Sequence, residues 1–130
     1  MVSIDHAREL ALSFEEAVEQ PHFEKTSFRV RKKIFATLDI EKRQVVVKLS
    51  EVDQSVFSDF GKNAIYPAQG GWERQGWTII ELDKVYEEMF RDALMISYIN
   101  VAPQKLGISI DWDHRMYSQS KEQILRSKSV

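Results

Sequence analysis

Three short runs rich in β-branched and aromatic residues follow one another between residues 26 and 49, with only charged connections between them. They are Thr26-Ser27-Phe28-Arg29-Val30, Ile34-Phe35-Ala36-Thr37-Leu38 and Gln44-Val45-Val46-Val47-Lys48-Leu49. Each has the length and composition of a strand. Connections this short allow only antiparallel neighbours, because a parallel pair needs a crossover of about a dozen residues. The segment therefore predicts a three-stranded antiparallel meander. Alternation along the first strand puts Phe28 and Val30 on one face and Ser27, Arg29 and Arg31 on the other. The first turn carries Arg31-Lys32-Lys33 rather than the usual Asn-Gly or Asp-Gly, and the second, Asp39 to Arg43, carries Lys42 and Arg43.

The flanking sequence supplies helices. Ser3 suits an N-cap, and Ile4, Ala7, Leu10 and Ala11 follow at helical spacing, which predicts a helix over 4–13. Pro21 and the polar stretch to Lys25 interrupt any helix. Ser50 with Asp53 three residues on opens a second helix over 51–60, closed by Gly61 as C-cap. Residues 65–71 read as a loop, with Pro67, Gly70 and Gly71, and residues 76–82 as a fourth strand, with Trp77 in the core. Asp83 is the expected cap of a long helix over 84–100, ended by Pro103. The expected fold class is α+β: an antiparallel β-sheet covered on one face by helices, in the order α-β-β-β-α-β-α. Its 130 residues suit one domain, here 1–106, followed by a partly ordered extension over 107–130.

Composition excludes several chemistries. The chain has no cysteine, so disulfides, thiolate catalysis and cysteine zinc sites are absent. His6, His22 and His114 lack ligand spacing, and no Gly-x-Ser-x-Gly elbow or phosphate-binding Gly-rich loop occurs. The expectation is no enzyme, no metal and no cofactor. No basic-then-apolar leader and no membrane-length apolar run is visible, so a cytoplasmic protein without membrane contact is expected, as monomer or weak homodimer. The acidic groups Glu15-Glu16 with Glu19, and Glu87-Glu88 with Asp92, read as solvated surface.

Charge is unevenly placed. The net charge is -2, yet residues 25–48 hold eight basic side chains against Asp39 and Glu41. Arg29, Arg31, Lys32, Lys33, Lys42 and Arg43 are therefore candidate phosphate-positioning residues, with solvated, aggregation-blocking turns as the plainer reading. Tyr66, Trp72 and Trp77 with Arg74 between the tryptophans form a candidate stacking group, against an anchoring role. His22, Tyr66 and Trp72 are the candidate lining of a small-ligand pocket, with a structural hydrogen bond as the plainer role of His22.

Pro21-His22-Phe23, Ser27-Phe28-Arg29-Val30 and Lys33-Ile34-Phe35-Ala36 resemble the opening signature of the YjbR/MmcQ-like bacterial proteins. Tyr66-Pro67, Gly76-Trp77, Ser97-Tyr98, Val101-Ala102-Pro103 and Lys105-Leu106 continue the resemblance in order, over residues 4–106. It implies a small frataxin/CyaY-like α+β fold and DNA as partner, contacted by two hairpin wings. This chain departs from the family at the first wing, where Arg31-Lys32 occupies a turn often held by glycine. The leading expectation is a non-enzymatic DNA-binding protein whose cations between Lys25 and Lys48 lie side by side. The alternatives are a protein-interaction module built on Trp72 or Trp112, and a small-ligand protein of unknown ligand.

Overall fold

The computed structural model describes residues 1–103. The candidate extension over 107–130, with Trp112, lies outside the described residues. The elements are α1 (Ile4–Leu12), β1 (Val18–His22), β2 (Lys25–Val30), β3 (Lys33–Asp39), β4 (Gln44–Lys48), α2 (Glu51–Gly61), β5 (Ile65–Pro67), β6 (Trp77–Glu81) and α3 (Glu87–Val101). The six strands form one antiparallel sheet in the order β1-β2-β3-β4-β6-β5. The α+β class and the meander stand as expected, while the simple α-β-β-β-α-β-α order does not.

Two strands depart from the sequence expectation. The stretch around Pro21 is β1, and the expected loop at 65–71 begins with β5. Each is an edge strand containing a proline, where the missing N–H faces outward and costs the ladder nothing. The third departure is α3, which begins at Glu87 with Tyr86 in the cap position, not after Asp83. The Asp83 carboxylate is instead taken by Arg43 Nε at 2.6 Å, inside a turn closed by Val85 N–H donating to the Glu81 carbonyl at 3.0 Å. The two other caps behave as the sequence requires. Ser3 Oγ accepts from His6 N–H and Ser50 Oγ from Asp53 N–H, both at 3.1 Å. Gly61 ends α2 inside the helix rather than beyond it, and Lys62 takes the positive φ.

All three helices bury one stripe against the same sheet face. Phe28, Val30, Phe35, Leu38, Val45, Val47, Ile65 and Ile80 from the sheet meet Ala7, Ala11, Phe57, Phe90, Ala93, Leu94 and Tyr98 from the helices in one cluster. Removing a buried ring such as Phe35 or Phe90 from a cluster of this kind costs about 3–5 kcal/mol. The buried stripes of the three α-helices lie on this one sheet face, and the opposite face is bordered by the 3₁₀ turn at Trp72 and the end of α3 at Asn100.

A bulge decides which residues that second face presents. Phe28 pairs with Ala36 but Arg29 pairs with Ile34, so Phe35 is the extra residue on β3. Strict alternation would send Phe35 outward and Ile34 inward. The bulge reverses both: Phe35 and Ala36 are fully buried, and Ile34 turns to the open face opposite Arg29. The freed Phe35 carbonyl accepts from Ser97 Oγ at 2.5 Å, and the same hydroxyl accepts from Lys48 N–H at 2.9 Å. Ser97 is completely buried, so Ser97→Ala strands a donor and an acceptor without water. We expect a loss of about 2–3 kcal/mol in urea unfolding; a loss below about 0.5 kcal/mol contradicts this role.

Candidate functional site

The open face is built from the alternate residues of the central strands. Thr37, Val46, Ile79 and Tyr66 form one row across β3, β4, β6 and β5. Lys48 and Trp77 form a second row toward one end, Gln44 and Glu81 a third toward the other. Two recesses lie along this face. One, of about 440 Å³, has a floor of Ile34, Val46 and Ile79, with Trp72 and Trp77 as walls and His22, Lys25, Lys42 and Gln44 at its rim. The second, of about 510 Å³, is lined by Arg29, Lys32, Lys33, Lys48 and Asn100. Ile34 and Trp77 line both, so the recesses are continuous.

Trp77 is therefore not a core side chain as its position in a strong strand suggests. It is half-buried on the open face, and Lys48 Nζ sits 5.6 Å above its ring centroid. Trp72 is 58% exposed, at the start of a single 3₁₀ turn, and is the free aromatic wall. His22 lies at the rim with its ring edge-on to Phe23, 4.8 Å between centroids.

The structure regroups the candidate cations. The two expected wings, at Arg31-Lys32 and at Lys42-Arg43, stand at opposite ends of β3, a seven-residue strand about 20 Å long. They are not side by side, and the expectation that all these cations gather in one place is overturned. Arg31 turns toward the helices and forms a bidentate pair with Glu16 at 2.7 and 2.9 Å, which holds its guanidinium pKa above the usual value. Arg43 is taken by Asp83, and its carbonyl accepts from Leu82 N–H at 3.0 Å. Arg74 lines a separate recess with Glu51 and Glu73 and is absent from the open face. What remains together is Arg29, Lys32, Lys33 and Lys48 at one end, with Lys25 and Lys42 at the other. None of these six forms an ion pair among the described residues. Lys48 is the member that motif reading passed over; its place two residues from Val46, on the outward phase of β4, is the signal that finds it.

The first wing is a two-residue turn with φ of 51° at Arg31 and 71° at Lys32, between the paired residues Val30 and Lys33. Two positive-φ side chains there cost about 1 kcal/mol each, which is why glycine or asparagine is usual at such a turn. The turn carries Lys32 and Lys33 to the mouth of the second recess.

Charge separates by layer. Asp5, Glu9, Glu51, Asp53, Asp59, Glu87, Glu88 and Asp92 belong to the helices, where Arg8 and Arg91 are the cations. Arg8 pairs with Glu19 and Arg91 with Glu87. The net negative chain thus presents an acidic helical layer and a basic sheet face, a dipole that orients an approaching anion toward the sheet.

One polar group interrupts the apolar face. Glu81 Oε2 accepts from the Tyr66 hydroxyl and from Gln44 Nε2, the latter at 3.0 Å. Burial, then the bond to Glu81, push the Tyr66 hydroxyl up from 10 to about 12. The sign follows: a folded pKa above the unfolded value means the neutral phenol stabilises the fold below pH ~10, and that contribution vanishes as pH rises through ~12. Spectrophotometric titration of the wild type against Tyr66→Phe is expected to assign one phenolate step near pH 12; a Tyr66 step near 10 contradicts the arrangement.

The comparisons with known proteins agree with the fold. No curated protein matches the chain. The solved structure of Deinococcus radiodurans protein DR2400, with a DUF419 domain, is similar with a TM-score of 0.70 at 20% identity, covering 82% of this chain and 89% of that one. At that identity the likeness speaks for the fold. The YjbR family profile matches residues 12–99, more than half of the sequence. The chain belongs to the YjbR family.

Proposed function

We propose that the protein is a non-enzymatic nucleic-acid-binding module that takes a single strand across its open sheet face. The observation that carries this reading is the placement of four cations without an ion pair among the described residues, Arg29, Lys32, Lys33 and Lys48, beside an apolar and aromatic floor on one face. Cations alone serve any polyanion, and an apolar trough alone serves any lipid or peptide. Together they match a strand whose phosphates are charged and whose bases have flat apolar faces. The recess of about 440 Å³ receives a base between Trp72 and the floor residues Val46 and Ile79, while the phosphates lie along the cationic end. Duplex DNA keeps its bases stacked inside, so a duplex gains from the cations and not from the floor. The two-wing contact that the family resemblance implies is thus replaced by one face, with Lys32 and Lys33 as the contribution of the first wing.

The test is fluorescence polarisation with a labelled eight-nucleotide single strand, its duplex, and a mononucleotide as competitor. The single strand is expected to bind more tightly than the duplex, with a log-log salt slope of about -3 for four phosphate contacts. No polarisation change with any nucleic acid contradicts the proposal. Full competition by an equimolar mononucleotide replaces the strand with a small anionic aromatic ligand, which the size of the first recess also accommodates.

A further inference from the structure

A carboxylate on a face that receives a polyanion is a cost, unless it recognises something. Glu81 lies in the outward row with Gln44, four residues along β6 from Trp77. Gln44 belongs to the rim of the first recess. Both donors that hold Glu81, the Tyr66 hydroxyl and Gln44 Nε2, converge on its Oε2. Glu81 Oε1 has no partner among the described residues. The Gln44 amide spends its nitrogen on Glu81, so its own oxygen remains an acceptor. Beside the recess, Gln44 at its rim and the adjoining Glu81 therefore present two fixed acceptors, one of them anionic, while Lys25 and Lys42 at the same rim supply ammonium donors without an ion pair among the described residues.

We infer that the Gln44–Tyr66–Glu81 group reads the base held in the recess and selects guanine. This rests on the nucleic-acid reading above and deepens it. The Watson–Crick edge of guanine offers two adjacent donors, N1–H and the N2 amino group, which match a carboxylate oxygen and an amide oxygen. Cytosine and adenine each offer one amino donor beside an acceptor nitrogen. Thymine offers one imino donor between two carbonyls, which a carboxylate repels. The spacing is consistent: from the Lys48–Trp77 row to the Gln44–Glu81 row is four residues, about 13 Å along the strands, the span of a phosphate, sugar and base. The cations hold the backbone and the polar row holds the base edge, a division general to nucleic-acid recognition. Tyr66 is a positioning residue, since it acts through the Glu81 carboxylate.

The test measures affinities of the whole chain for an eight-nucleotide oligothymidine and for versions in which one central thymine is replaced by guanine, cytosine or adenine. Guanine at the centre is expected to raise affinity about tenfold over thymine, with cytosine and adenine between. Glu81→Gln is expected to bring the four within about twofold, the guanine advantage being lost with the anionic acceptor. Tyr66→Phe is expected to lower affinity for the guanine oligonucleotide by a larger factor than affinity for oligothymidine, a split that loss of fold does not produce. Wild-type binding that is equal for all four bases overturns this inference and leaves the face as a binding surface. A guanine preference that survives Glu81→Gln intact also overturns it. Absence of binding to every oligonucleotide overturns the underlying reading as well.

Discussion

Replacing Lys32, Lys33 and Lys48 together by alanine is expected to weaken binding of a single-stranded octanucleotide about a hundredfold at low salt and to flatten its salt slope by about 2. The first figure takes about 1 kcal/mol per lost cation near a charged surface, the second about 0.7 per phosphate contact to a single strand. The three residues line one recess and none is in an ion pair among the described residues, where the Lys48–Trp77 approach is the side-chain contact their loss removes. Arg31 is the informative control. It is the most conspicuous residue of the basic turn in sequence, but its guanidinium is committed to both oxygens of Glu16 on the helix side. Arg31→Ala is therefore expected to change binding less than about threefold. Equal losses from Arg31→Ala and from Lys48→Ala, measured by polarisation across a salt series, contradict the assignment of the site to the sheet face.

Gly76→Ala is expected to be among the most destabilising single substitutions in the chain, costing about 4 kcal/mol or more and lowering Tm by about 15 °C. A Cβ at this position lies 1.9 Å from the Leu49 carbonyl oxygen, far inside van der Waals contact, and φ is 92°. The neighbouring chain has no room to retreat, because Leu49 N–H donates to the Gly76 carbonyl at 2.8 Å. Gly71 separates the two causes. Its φ is 91° but a Cβ there meets nothing within 4 Å, so Gly71→Ala pays the backbone cost alone, about 1 kcal/mol. Thermal unfolding of the two variants side by side decides the matter. Similar small losses in both mean that the close approach of Gly76 to Leu49 is wrong. The pair Gly76-Trp77 thereby acquires a reason: the glycine lets β6 start hard against the end of β4, and Trp77 is set beside Lys48 on the open face.

The strong parts of the fold were legible because periodicity and caps carry them. The meander, α2 and the fourth-strand segment at Trp77–Glu81 all announce themselves by β-branched runs or by a Ser-x-x-Asp start. The two edge strands were not, because short segments with a proline and one buried neighbour carry no alternation to read. The start of α3 is not legible, since Asp83 has the chemistry of an N-cap and is used as a partner for Arg43. The candidate site is half legible in the sequence. His22 and Trp72 do line one recess as the sequence suggested, with Tyr66 in the adjoining polar group. Arg29, Lys32 and Lys33 do share a surface. What no local pattern shows is long-range: that Glu16 claims Arg31, that Asp83 claims Arg43, and that a bulge at Phe35 turns Ile34 into the floor. Each depends on a partner or a register set by residues far along the chain.

The proposed site places ligands on the sheet face and not on the helical layer or the two turns. Backbone and indole ¹⁵N chemical-shift mapping during titration with a single-stranded octanucleotide addresses it directly. The largest changes are expected at Ile34, Val46, Lys48, Ile79 and the indole of Trp77, with the helices α1 and α2 nearly silent. Changes concentrated at the Arg31 and Arg43 turns, or on the helical layer with the indole of Trp77 unmoved, contradict it.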